Sequence, residues 1–163
     1  MSKIIDIKFA FYVSGNATRL IKIIEQYPAI LERTFLVVND EAPNLKLGKL
    51  LLGEKIEYHE FQYKEKDLKG QSKNIYLSEL LLKKFKEKNI DYSFCFGGKI
   101  LCGQLLTVYK NKIINFHPAV LPMFPGVKSI DQALNANTFL LGNTAHFIDE
   151  GVDTGPVIMQ SVI

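Results

Sequence analysis

The chain has 163 residues, 47% of them hydrophobic and 11% aromatic, which excludes a disordered or fibrous protein and bounds it to one domain able to bury its own core. A net charge of +3 is too small and too dispersed to argue for a nucleic-acid partner. No apolar run approaches the roughly 18 residues of a membrane helix, and no h-region with a small-residue cleavage site opens the chain, so a soluble, cytoplasmic protein is expected.

Residues 4–13 are apolar apart from Asp6 and Lys8 and read as a strand buried on both faces. Ser14-Gly15-Asn16 breaks that strand. A helix follows from Ala17, with Leu20, Ile23, Ile24 and Tyr27 at i, i+3, i+4 and i+7, and Pro28 stops it. A strand, a glycine turn and a helix in succession gather unpaired amides that can hold phosphate. Residues 34–39 and 56–61 are the next strands, with a short helix over 44–52 between them. After a charged loop containing Gly70, residues 72–88 form the longest predicted helix. Leu77, Leu80, Leu81, Leu82 and Phe85 are its buried positions, and Lys83, Lys84, Lys86 and Lys88 its solvated face. The run Lys64-Glu65-Lys66-Asp67 is likewise solvated.

Strands are then expected over 92–96 and 113–116, a helix over 129–135, and closing strands over 141–148 and 157–162. The two cysteines, Cys95 and Cys102, match neither a redox nor a zinc spacing and are expected as reduced thiols. Strands alternating with helices predict an α/β domain with a mostly parallel, twisted sheet and helices on both faces. Repeats, low-complexity segments and internal linkers are absent.

The chemistry-bearing residues gather late. Asn115 and His117 lie two apart, so they share a face if the strand persists, and Pro118 ends it. An amide and an imidazole then project from a strand's C-terminal end, where open α/β sheets bind ligands. Alone, such a pair is commonly turn chemistry and a satisfied histidine. A second apolar run leads into a loop carrying Asp149, Glu150 and Asp153, sharply turned by Gly151, Gly155 and Pro156. Amide, imidazole and carboxylate together suit acyl transfer: the first two stabilise an oxyanion, and the third holds the imidazole charged and moves a proton.

The string Asn115-Phe116-His117-Pro118-Ala119-Val120-Leu121-Pro122-Met123-Phe124-Pro125-Gly126 resembles the signature of the folate-dependent formyltransferases, above all those acting on glycinamide ribonucleotide. His146 through Asp153, Gly155 and Pro156 resembles that family's second signature, in the right order. The resemblance implies a Rossmann-like formyltransferase fold whose last strands leave the parallel pattern, and a cis Leu121–Pro122 peptide. It implies a catalytic triad of Asn115, His117 and Asp153, with Asp149 the nearest rival acid. No metal is required. His146 is expected to be structural rather than to line the site. The donor implied is 10-formyltetrahydrofolate, its pterin held by Gly98, Lys99, Ile100, Leu101 and Asp149. The paired Gly97 and Gly98 depart from the bulkier residues usual there, and as a bare pair they would also fit a strand-to-helix turn.

Ser14-Gly15-Asn16-Ala17-Thr18-Arg19-Leu20 is similar to the family's phosphate loop, Ser-Gly-Asn-Gly-Ser-Asn-Leu. It assigns Gly15, Asn16, Ala17, Thr18 and Arg19 to the acceptor. Ala17 disfavours the positive φ its glycine counterpart can adopt. Arg19 adds a cation with bidentate phosphate geometry, provided it turns inward. The likeness spans essentially all of this chain, whereas the family continues for another strand and a long helix. The expected function is formyl transfer to the primary amine of a phosphorylated small molecule, foremost glycinamide ribonucleotide. The alternatives are a dTDP-amino sugar acceptor, favoured by the altered residues 17–19 and 97–98, and a non-catalytic folate-binding protein. A homodimer is left open.

Overall fold

The computed structural model describes residues 6–41 and 43–163. Among them are strands β1 (Phe9–Ser14), β2 (Thr34–Asp40), β3 (Glu57–Phe61), β4 (Tyr92–Phe96), β5 (Ile113–His117), β6 (Gly142–Phe147) and β7 (Val157–Val162). They form one sheet in the order β3-β2-β1-β4-β5-β6-β7. The first five strands pair in parallel, while β6 runs antiparallel to both β5 and β7. The helices are α1 (Thr18–Gln26), α2 (Leu45–Leu51), α3 (Gln71–Lys88), α4 (Gln104–Val108) and α5 (Ser129–Asn135), with 3-10 turns at Pro28–Arg33 and Tyr63–Lys66.

Strand alternation sorts the core into two halves. Ala10, Tyr12, Leu36, Val38, Cys95 and Ile113 face α3 and α4, packing with Leu77, Leu81, Phe85 and Leu105. Phe11, Val13 and Val37 face α1 and α2, packing with Leu20, Ile21, Ile24, Leu47 and Leu51. On that second side Phe11 stacks on Phe94 at 5.1 Å, and Phe96 meets Phe116 at 5.4 Å. The ring ladder ties β1, β4 and β5 together and fixes the opposite faces of β4 and β5 toward the other side.

Several expectations shift. Ile4 and Ile5 lie outside the described residues, and β1 starts at Phe9 because Lys8 N–H instead donates to Asp91 Oδ2 at 2.9 Å. Ser14 extends the strand rather than breaking it. The short α4 was not foreseen; at five residues it shows no period, although Leu105 and Leu106 are buried. Leu80 and Leu82 rim the core rather than fill it. Nor are all the α3 lysines solvated. Lys84 Nζ meets Glu57 Oε1 at 2.5 Å and Lys88 Nζ meets Oε2 at 2.8 Å, so one turn of α3 clamps β3. No helix among the described residues is long and apolar enough to cross a membrane. Strand β7 is exposed along its length, with Val157, Ile158, Met159 and Val162 all open.

Candidate active site

One parallel neighbour, β4, and one antiparallel neighbour, β6, build the site at the end of β5. Asn115 stands opposite Cys95 of β4 on one side and opposite His146 of β6 on the other. His117, two residues on, is 4% exposed. The loop after β6 then returns across the strand end and delivers Asp153, held at φ 55°. That left-handed backbone is tolerated by Asp better than by bulkier side chains.

Four groups converge on this carboxylate. Its Oδ2 lies 3.2 Å from His117 Nδ1 and accepts Gly126 N–H at 2.8 Å. Its Oδ1 lies 3.5 Å from Asn115 Nδ2 and 3.4 Å from His146 Nε2. Each imidazole is anchored at its far nitrogen: His117 Nε2 donates to Phe124 O at 2.8 Å, and His146 Nδ1 donates to Phe147 O at 2.9 Å. A carbonyl can only accept, so His117 has an acceptor at both ring nitrogens. Both contacts are hydrogen bonds only when the ring carries two protons and a charge.

The turn that supplies Phe124 O is itself pinned. Thr144 Oγ1 accepts Leu121 N–H at 3.0 Å and donates to Ala119 O at 2.7 Å, while Gln160 Nε2 donates to Leu121 O at 2.8 Å. The Leu121–Pro122 peptide is cis, as the resemblance implied. Of the two rival acids, Asp153 is the one beside His117. Asp149 Oδ1 is occupied by Gly151 N–H at 3.0 Å and Thr154 Oγ1 at 2.7 Å, which makes it the brace of its own loop.

These groups open into a cleft of about 560 Å³, lined by Arg19, Gly98, Lys99, Ile100, Leu101, Asn115, His117, His146, Asp149 and Asp153 among others. Its size is that of a cofactor pocket. Every residue assigned to the pterin therefore reaches the cleft. Two of the loop amides do not: Gly98 N–H donates to Ser14 Oγ at 3.0 Å and Lys99 N–H to Tyr12 Oη at 3.3 Å. The Lys99 ammonium is ion-paired with Glu41, whose carboxyl it holds below the usual range by hydrogen bonding. Cys95 also borders the cleft, and burial pushes its thiol up to about 12. Cys95 and Cys102 are both free.

The loop assigned to the acceptor divides. Arg19 does turn inward, its guanidinium 5.2 Å from the Phe96 ring centroid on the cleft wall. Asn16 and Thr18 line a separate depression with Lys22, Glu25, Asn44 and Lys46. Gly15 N–H is spent on Asp40 O and Ala17 N–H on Ser14 O, so these amides are not turned toward the cleft. Ala17 is buried in a left-handed conformation, φ 47° and ψ 30°, as the N-cap of α1. His146 is the residue the sequence undervalued: 2% exposed and strand-borne, it nevertheless touches both Asn115 and Asp153. Its place depends on antiparallel register, which apolar periodicity does not carry. Among the described residues no group of three or more His, Cys, Asp or Glu is arranged to hold a metal.

The formyl transferase family pattern matches residues 7–163. The chain belongs to the formyl transferase family. It is 31% identical over 162 residues to a phosphoribosylglycinamide formyltransferase of Bacillus subtilis, spanning 96% of this chain and 78% of that one. The phosphoribosylglycinamide formyltransferase structure from Streptococcus pneumoniae superimposes with a TM-score of 0.75 at 33% identity, covering 96% of this chain and 82% of that one. A formyltetrahydrofolate deformylase of Haemophilus influenzae is 38% identical over 86 residues, which is 52% of this chain and 31% of that protein. The family membership makes this chain an enzyme of formyl-group chemistry, and the parallel sheet with its antiparallel closing strands is the family's fold.

Proposed function

We propose that the chain transfers the formyl group of 10-formyltetrahydrofolate to the primary amine of glycinamide ribonucleotide. The observation that carries this reading is the meeting of Asn115, His117 and Asp153 in one cleft, within a chain whose long relatives carry that name. In the reaction the amine nitrogen bonds to the formyl carbon, and the carbonyl oxygen becomes an oxyanion. Asn115 Nδ2 is the donor best placed to receive it. His117, to which the sequence assigns the same work, stands beside it with Nδ1 3.2 Å from Asp153 Oδ2. It also holds Asp153 in place. The carboxylate takes the proton released by the attacking amine, and the folate nitrogen regains one as the carbon–nitrogen bond breaks.

On the acceptor side, Arg19 is the residue that binds phosphate, aided by the first-turn amides of α1, which lack partners within the helix. Asn16, Ala17 and Thr18 serve by shaping the loop that holds Arg19. A competition assay decides the acceptor: glycinamide ribonucleotide, a dTDP-amino sugar and water are offered in turn with 10-formyltetrahydrofolate. Formylation of the ribonucleotide is expected. Formylation of the sugar alone, or formate release alone, would reject that acceptor and retain the family.

A further inference from the structure

Behind the wall of the cleft lies a chain of hydroxyls, buried at Tyr12 and Tyr63, that the proposed chemistry leaves unused. Tyr12 is fully buried on β1, and its hydroxyl donates to Asp40 Oδ2 at 2.9 Å. Tyr63 Oη donates to the same oxygen at 2.7 Å. With its one proton committed, the Tyr12 oxygen is an acceptor for Lys99 N–H at 3.3 Å and for Ser14 Oγ at 3.3 Å. Ser14 Oγ in turn accepts Gly98 N–H at 3.0 Å. Every donor thus runs one way, from the amides of residues 98 and 99 through two hydroxyls to Asp40. Such aligned chains strengthen one another in a low-dielectric interior.

The carboxylate at the end is costly. Asp40 is fully buried, and its Oδ1 has no hydrogen-bond partner among the described residues. A core built only for stability would not keep it. The same tyrosine explains the glycine pair. A Cβ on Gly97 would lie 2.1 Å from the Tyr12 ring, whereas one on Gly98 would meet nothing within 4 Å. The two glycines are therefore not equivalent: residue 97 gives up its side chain to a ring that rises from β1 beneath the loop.

We infer that Tyr12 is a positioning residue for donor binding, and that Tyr12 and Gly97 form a matched pair setting the depth and backbone orientation of the wall at residues 97–101. The inference rests on the reading of the cleft as a folate site. Its consequence is that the amides of Gly98 and Lys99 are withdrawn from the ligand, so this wall offers fewer donors than its sequence suggests.

The test is equilibrium titration of the full chain with 10-formyltetrahydrofolate, without acceptor. Tyr12→Phe keeps the ring and removes the hydroxyl. Its dissociation constant is expected to rise about tenfold, because a wall no longer tied to Tyr12 must be ordered by the ligand on binding, while kcat at saturating folate and KM for the acceptor stay within about twofold of wild type. Gly97→Ala is expected to abolish folate binding, and Gly97→Ala combined with Tyr12→Leu to restore it in part. Unchanged folate affinity in Tyr12→Phe, or a double variant no better than Gly97→Ala alone, overturns the inference by itself. A wild-type chain that binds no folate removes the reading beneath it as well.

Discussion

Asp153 joins two histidines, an amide side chain and a backbone N–H on one carboxylate, and it does so from a left-handed backbone. A carboxylate so placed controls where its neighbours point. We expect Asn115→Ala and His117→Ala each to lower the formyl-transfer rate on the order of 10²–10³, the usual loss for one preorganised group around an oxyanion, with thermal melting little changed. His146→Ala should also slow the reaction, since it touches both Asn115 and Asp153; a wild-type rate would return it to the purely structural role first expected. Asn115, His117 and Asp153 were legible because their residue types and order form a long signature. His146 was not, because a histidine inside an apolar run looks like core until β6 is known to pair antiparallel with β5. Ala17 offers a test unconnected with chemistry. An L-residue at φ 47° carries a steric cost of about 1–2 kcal/mol that glycine avoids. Ala17→Gly should therefore raise stability by about 1 kcal/mol in urea unfolding, and an unchanged or lower midpoint would contradict that cost.

At the scale of elements, the loop between β1 and α1 shows how a motif can keep its sequence and spread its duties. The likeness to a phosphate loop suggested five ligand residues, but two amides close the turn on Asp40 and Ser14 and two side chains face another hollow. Only the helical phase, which puts Arg19 one position past Thr18 and over Phe96, could separate these roles. Helix α3 makes the complementary point about charge. Its lysines alternate as a solvated face would, yet Lys84 and Lys88 sit one turn apart and grip the β3 carboxylate. Hydrogen bonds from Lys84 and Lys88 hold the Glu57 carboxyl below its ordinary 4.5, and the Glu57 hydrogen bond raises Lys84 above its ordinary 10.5. The sign follows from linkage. The clamp's contribution is complete between those two values. It is lost as pH falls through the lowered carboxyl value, and again as pH rises through the raised amine value. Glu57→Gln should cost on the order of 1 kcal/mol at neutral pH and flatten the acid limb of the stability profile. An unaltered acid limb would show the clamp to be energetically idle.

For the molecule as a whole, strand–helix alternation was enough to foresee a doubly covered parallel sheet with β1 in its interior, because buried parallel strands and amphipathic helices write distinct patterns. The antiparallel turn at β6 came from resemblance alone, since apolar runs do not reveal direction. With that turn in place, β7 is the last strand of the described sheet, with Val157, Ile158, Met159 and Val162 open. The whole account converges on one comparison, the single-turnover rate of formyl transfer in Asp153→Asn against Asp149→Asn, with both substrates saturating. It predicts a loss on the order of 10²–10³ for Asp153→Asn and a rate close to wild type for Asp149→Asn, which braces a loop and does not face His117. Equal losses, or the greater loss at Asp149, would contradict it.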